Sequence, residues 1–175
     1  YGDYGAGTEI ETTTFVVADR PGGDPETSVL SIDYVSEGWG AGTGRDLLPP
    51  QDWSAYDSLS FWLFGTNSGS IYELILSDNK TDPDADTAER FHATFTDDFD
   101  GWQHITLPWE VFYRGTWQPD GAPDDGLTLT EMWAYAVALP VGTSGTFYLD
   151  DVALFKLETV EDFEAGLPDN WFQYG

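Results

Sequence analysis

The chain has no cysteine, so it carries no disulfide framework and no thiol chemistry. Positive charge is nearly as scarce. Six Lys and Arg stand against 32 Asp and Glu, a net charge of −26 over 175 residues. A field of that sign repels phosphate backbones and anionic lipid, which argues against nucleic acid and against membrane insertion. No apolar run approaches the roughly 20 residues that a spanning helix needs. No Gly-Xaa-Ser-Xaa-Gly elbow and no phosphate loop occurs, and His92 and His104 lie in strand-like alternation without metal-ligand spacing. Carboxylates are so abundant that nearness in sequence singles out no acid/base pair. The chain therefore reads as non-catalytic. Tyr1 is not an initiator residue, and the sequence reads as a processed or excised piece.

Apolar and aromatic residues are plentiful: hydrophobic content is 41%, with 8 Trp, 9 Tyr and 11 Phe, too apolar for a disordered acidic chain. Nineteen Gly and ten Pro cut the sequence into short segments. Apolar/polar alternation recurs over 9–17, 28–35, 58–64, 71–77, 90–96, 102–107, 132–139 and 146–155. Short helical turns are expected at 108–113 and 130–133. About eight or nine strands at this spacing predict an all-β chain, a two-sheet antiparallel β-sandwich of jelly-roll type. Phe61, Leu63, Trp133 and Phe147 are expected in its core.

The two ends carry a separate message. Residues 160–171, VEDFEAGLPDNW, read as the start of such a domain, yet they follow 147–155, FYLDDVALF, which reads as a final strand. The last two residues, Tyr-Gly, also repeat the first two, the mark of a tandem repeat. The expected organisation is a sandwich over 1–157 and, over 158–175, a displaced first strand that completes its own or a neighbouring domain.

Four motifs in order now point to a family: Asp162-Phe-Glu164 with Trp171 downstream, DWSAYDSLSFWLFG at 52–65, DGWQHITLPWEVF at 100–112 and YLDDVALF at 148–155. Taken together they resemble family 11 carbohydrate-binding modules and their galactose-binding-like jelly-roll relatives. The resemblance implies an extracellular or cell-surface domain whose partner is a polysaccharide, of β-glucan type. It also implies a structural calcium held by the Glu of the opening Phe-Glu pair and an Asp near the last strand. Those positions are Glu164 and Asp151, with Asp150 and Asp162 beside them.

The residues add candidates of their own. Asp82, Asp84 and Asp86 have the alternate spacing of a calcium loop that Glu89 could close, although the sharp-turn Gly is missing; a solvated loop is the competing reading. Sugar rings stack their C–H faces on aromatic side chains, so loop aromatics are the expected binders. Trp39, Tyr113, Trp117 and Tyr135 fit, the last if it shares a face with Trp133. A different use is a structural repeat of an array or filament, whose partners are copies of itself. There, 160–171 is donated head to tail, with Phe163, Leu167 and Trp171 entering the next unit.

Overall fold

The computed structural model describes residues 9–16, 28–38 and 40–156. Ten strands run in the order β1 (Glu9–Val16), β2 (Ser28–Ser36), β3 (Ala41–Gln51), β4 (Ser58–Thr66), β5 (Ile71–Lys80), β6 (Ala88–Thr96), β7 (Asp100–Pro108), β8 (Tyr113–Arg114), β9 (Met132–Leu139) and β10 (Thr143–Phe155). Among the described residues one 3-10 turn, Trp109–Val111, falls where a helical turn was expected at 108–113. The strands form two five-stranded sheets, β1-β2-β10-β4-β7 (sheet I) and β3-β9-β5-β6-β8 (sheet II), with every pairing antiparallel. This is the expected sandwich. No helix among the described residues is long and apolar enough to cross a membrane.

Alternation explains the layering. Phe61 and Leu63 of β4, Leu74 and Leu76 of β5, Phe91, Ala93 and Phe95 of β6, Val137 and Leu139 of β9, and Phe147 and Leu149 of β10 point inward and form one core. Tyr72 closes one end, stacked on Phe95 at 5.7 Å and tilted against Phe147 at 4.8 Å. Under the turn after β7, Trp109 lies between Trp53 at 6.1 Å and Phe112 at 6.0 Å, so Trp109 and Phe112 pack beneath a loop.

Two strands went unread in the sequence. β3 contains Gly42, Gly44 and the pair Pro49-Pro50, which disguise alternation. Gly44 is required where it stands: a Cβ there would lie 2.3 Å from the Tyr135 carbonyl and 2.6 Å from the Ala136 Cβ. Two-residue β8 is too short to show any period.

Polar groups fix the turns. Asp97, buried after β6, accepts hydrogen bonds from the amides of Thr66, Asn67 and Ser68 at 3.0–3.2 Å and from two hydroxyls, Thr66 Oγ1 at 3.1 Å and Ser68 Oγ at 2.7 Å. Burial pushes its carboxyl up, but the bonds from Ser68 and Thr66 outweigh burial and hold it below the usual carboxylate range.

Inside the sandwich, Asp78 and Glu89 are cross-strand partners and fully buried. Asp78 accepts the Thr128 amide through Oδ2, and Glu89 accepts the Arg114 guanidinium, which also reaches Asp124 at 3.3 Å and the Pro123 carbonyl at 2.9 Å.

Candidate functional site

The register of sheet II places three rows of side chains on its outer face. Gly42, Ala138, Glu73 and Thr94 make the first; Gly44, Ala136, Ile75, His92 and Tyr113 the second; Asp46, Ala134, Ser77 and Arg90 the third. The half made by β3 and β9 carries only Gly and Ala apart from Asp46, while β5, β6 and β8 carry larger and mostly polar groups. A low floor beside a raised polar wall is a groove.

An aromatic rim stands at the β8 end. Tyr113 is 49% and Trp117 67% exposed, the latter well beyond what packing alone requires. His92 stacks on Tyr113 at 6.1 Å and meets Glu73 through Nδ1 at 3.0 Å. Its ring leaves no room for a side chain at 115, where a Cβ would come within 2.5 Å of Nε2. The loop that presents Trp117 is held by its neighbour. Gln118 accepts the Arg90 amide at 2.8 Å and donates to the carbonyls of Arg90 at 2.8 Å and Gly115 at 2.9 Å. The Gln118 amide thus extends the β6 edge like one more strand residue and fixes the position of Trp117.

Along the third row lies a cleft of about 190 Å³ between Asp46, Leu48, Ser77, Lys80, Pro83, Asp86, Arg90 and Trp133. The Trp133 indole donates to Glu131 Oε1 at 2.9 Å, and Lys80 Nζ sits 4.8 Å above its ring. Aromatic and apolar surface with hydroxyl, carboxylate and cationic groups at fixed positions can stack a sugar ring and bond its hydroxyls.

The sequence candidates divide. Tyr113 and Trp117 are both exposed, Tyr113 on β8 and Trp117 in the segment that follows it. Trp39 lies outside the described residues. Tyr135 does not share the face: it lines a separate opening between the sheets with Val137 and Leu149. The expectation that Tyr135 and Trp133 point together, and that Trp133 is core, fails at a β-bulge. Ser77 pairs with Ala134 and Asp78 with Met132, so Trp133 is the extra residue, and the inside/outside parity changes across it. Trp133 faces the outer cleft instead. Glu73, Ser77 and His92 were missed as site residues, because a polar residue alternating on a strand looks the same over solvent or over a ligand.

Sheet I has aromatics on its outer face too. Phe64 meets Trp102 at 5.4 Å and Tyr148 at 5.8 Å, while Trp62 meets His104 at 5.2 Å. The Phe64 pairs run edge to face, at 78° and 89°, so these rings engage one another rather than forming a flat platform.

The expected metal residues that the structure describes fall in two separate places. Asp82 Oδ1 accepts the Asp84 amide at 2.9 Å and Asp86 pairs with Arg90, so this loop is closed by its own bonds. Asp150 and Asp151 lie at a bulge in β10, where Asp151 has a positive φ of 46°. Asp162 and Glu164, and the exchange residues Phe163, Leu167 and Trp171, lie outside the described residues. Among the described residues no three acidic or His side chains converge as a metal site.

A β-sandwich with an aromatic-rimmed face belongs to the class of folds that display a ligand surface on a rigid scaffold. The family model for the carbohydrate binding domain (family 11) matches residues 2–157, and the chain belongs to that family. Its fold is similar to a family 11 module from Clostridium thermocellum solved with a β-1,3-1,4-mixed-linked tetrasaccharide, at 22% identity and TM-score 0.73 over 87% of this chain and 85% of that one. The family 11 module of the Lic26A-Cel5E cellulase from the same organism gives 21% identity and 0.73 over 90% and 88%. A family 30 module gives 13% and 0.60 over 87% and 76%. No curated protein matches the chain significantly.

Proposed function

We propose that the outer face of sheet II binds a neutral β-glucan-type polysaccharide outside the cell. The observation that carries this is the pair of exposed aromatics at the β8 edge, Tyr113 and Trp117, the latter followed by Gln118, whose side chain is bonded to the β6 edge. A charge of −26 disfavours polyanionic glycans, and a neutral chain meets no such penalty. Supporting the ligand class, the similar family 11 module was solved with a mixed-linked β-glucan tetrasaccharide. Affinity electrophoresis on β-1,3-1,4-glucan tests the reading. The wild type should be retarded, and Trp117→Ala should migrate as on a sugar-free gel while melting unchanged. An unretarded wild type across a panel of neutral glucans would remove the proposal.

We also propose a structural calcium, with Asp150 and Asp151 as its share of described ligands. Hard oxygen donors at a bulge suit it. A melting temperature that EDTA leaves unchanged would dismiss it.

A second reading, a structural repeat joined head to tail, draws support from the opening of about 460 Å³ between the sheets. It is lined by Leu30, Tyr135, Val137, Leu149 and Val152, with Arg45, Asp150 and Asp151 beside them. The apolar residues of a strand such as 160–171 from a neighbouring copy suit the apolar part of that lining. Two linked copies should resist unfolding more than one, and deletion of 158–175 should erase the difference. Equal stability of one and two copies would exclude exchange.

A further inference from the structure

We infer that Ser77 is a specificity-determining residue of the glycan groove, its hydroxyl bonding one hydroxyl of a single sugar unit seated in the cleft beside Trp133. This rests on the glycan-binding reading of the same face. Ser77 is 2% exposed, and its Oγ has no hydrogen-bond partner among the described residues. A buried hydroxyl left unmade bears its full desolvation cost; Ser77 Oγ is covered in the free chain, and a turn of its side chain toward the cleft it lines would let a partner from outside meet it.

The cleft says what that partner is. At about 190 Å³ it is smaller than the roughly 300–1,000 Å³ of sites that enclose whole drug-sized ligands, and it suits one ring of a longer chain. Its cations are already engaged, Arg90 by Asp86 and the Ala88 carbonyl and Lys80 over the Trp133 ring, and Asp46 adds a carboxylate to the lining. Lining charges of both signs favour no ion. A serine hydroxyl both donates and accepts, and its natural complement is another hydroxyl. Leu48, Pro83 and Trp133 supply apolar wall for the ring's C–H faces. Arg90 joins this cleft to the rim, since its side chain lines the cleft while its backbone holds Gln118 next to Trp117. Cleft and rim are therefore parts of one groove.

The inference makes stability and binding respond differently. Ser77→Ala removes an unmet hydroxyl from the free protein and should leave its melting temperature unchanged or raise it. The same change should weaken binding of a mixed-linked β-glucan tetrasaccharide about tenfold by titration calorimetry. Ser77→Thr keeps the hydroxyl and suits a strand, but adds a methyl to the cleft; it should fold and bind more weakly as well. If the wild type binds the tetrasaccharide and Ser77→Ala binds as tightly, a water meets the hydroxyl and the inference falls while the glycan reading stands. If Ser77→Ala loses both affinity and stability, its role is structural and the inference falls. If the wild type binds no neutral glucan, the reading of the face fails first and takes the inference with it.

Discussion

Asp78 is the residue whose titration the fold perturbs most clearly, and Asp78→Asn isolates it. Burial pushes its carboxyl up to about 7 from an ordinary 3.8; the negative Glu89 and Asp125 add to the rise and the Thr128 amide opposes it. Between those two values the folded chain holds a proton that the unfolded chain has released. The group therefore costs stability progressively as pH rises from 3.8, and the loss levels off above 7. The full gap corresponds to at most about 4 kcal/mol. Asparagine has nearly the same shape, can still accept from Thr128, and offers an amide hydrogen toward Glu89 Oε2, which has no hydrogen-bond partner among the described residues. Urea unfolding of both proteins from pH 4 to 8 measures the difference while cancelling the general repulsion of a −26 chain, which both share almost equally. The variant should gain on the wild type throughout this range, from under about 1 kcal/mol at pH 4 to roughly 3–4 kcal/mol at pH 8. Parallel stability curves across the range would refute the reasoning, because they would mean that Asp78 stays ionised in the fold at no cost.

Three further outcomes follow from packing and bonding. Asp97→Ala should cost about 2–4 kcal/mol near neutral pH by stranding the amides and hydroxyls of Thr66 and Ser68. Since the Asp97 pKa is depressed, its stabilisation is present above the ordinary carboxylate value and lost as pH falls through the folded one; the gap between the two proteins in urea should narrow below about pH 4. Gly65→Ala would place a Cβ 2.5 Å from the Phe99 carbonyl and 2.6 Å from Asp97 Oδ1, and should lower stability by at least about 1–3 kcal/mol in thermal melts. Arg114→Met should lower stability in urea unfolding, because it leaves the fully buried Glu89 without its guanidinium partner.

Strand alternation made most of this fold legible, because a sandwich with one wet and one dry face per sheet writes period two into every strand that obeys it. The exceptions are physical. β3 was hidden because close approach to Tyr135 and Ala136 demands glycine at 44, and glycine erases the pattern by which a strand is read. Trp133 and Tyr135 were paired on one face because parity holds only in an unbroken ladder, and a bulge intervenes between them.

The groove shows the same limit from the functional side. Tyr113 and Trp117 could be named in advance because large aromatics in a polar, Gly- and Pro-rich loop are conspicuous. Ser77 could not, since its importance lies in burial without a partner, and burial is a property of the assembled sheet. Four separated segments meet at that cleft: Asp46 on β3, Ser77 on β5, Arg90 on β6 and Trp133 on β9. The register of β3 on β9 sets Gly42 beside Ala138, Gly44 beside Ala136 and Asp46 beside Ala134, so small side chains make up most of this half of the face. A larger residue at Ala136 would divide the groove midway between the cleft and the free end of its floor. Ala136→Trp should therefore weaken binding of long glucan chains more than binding of a disaccharide, provided the fold's melting temperature is kept. Equal losses for both ligands would show that the floor is not part of the binding path.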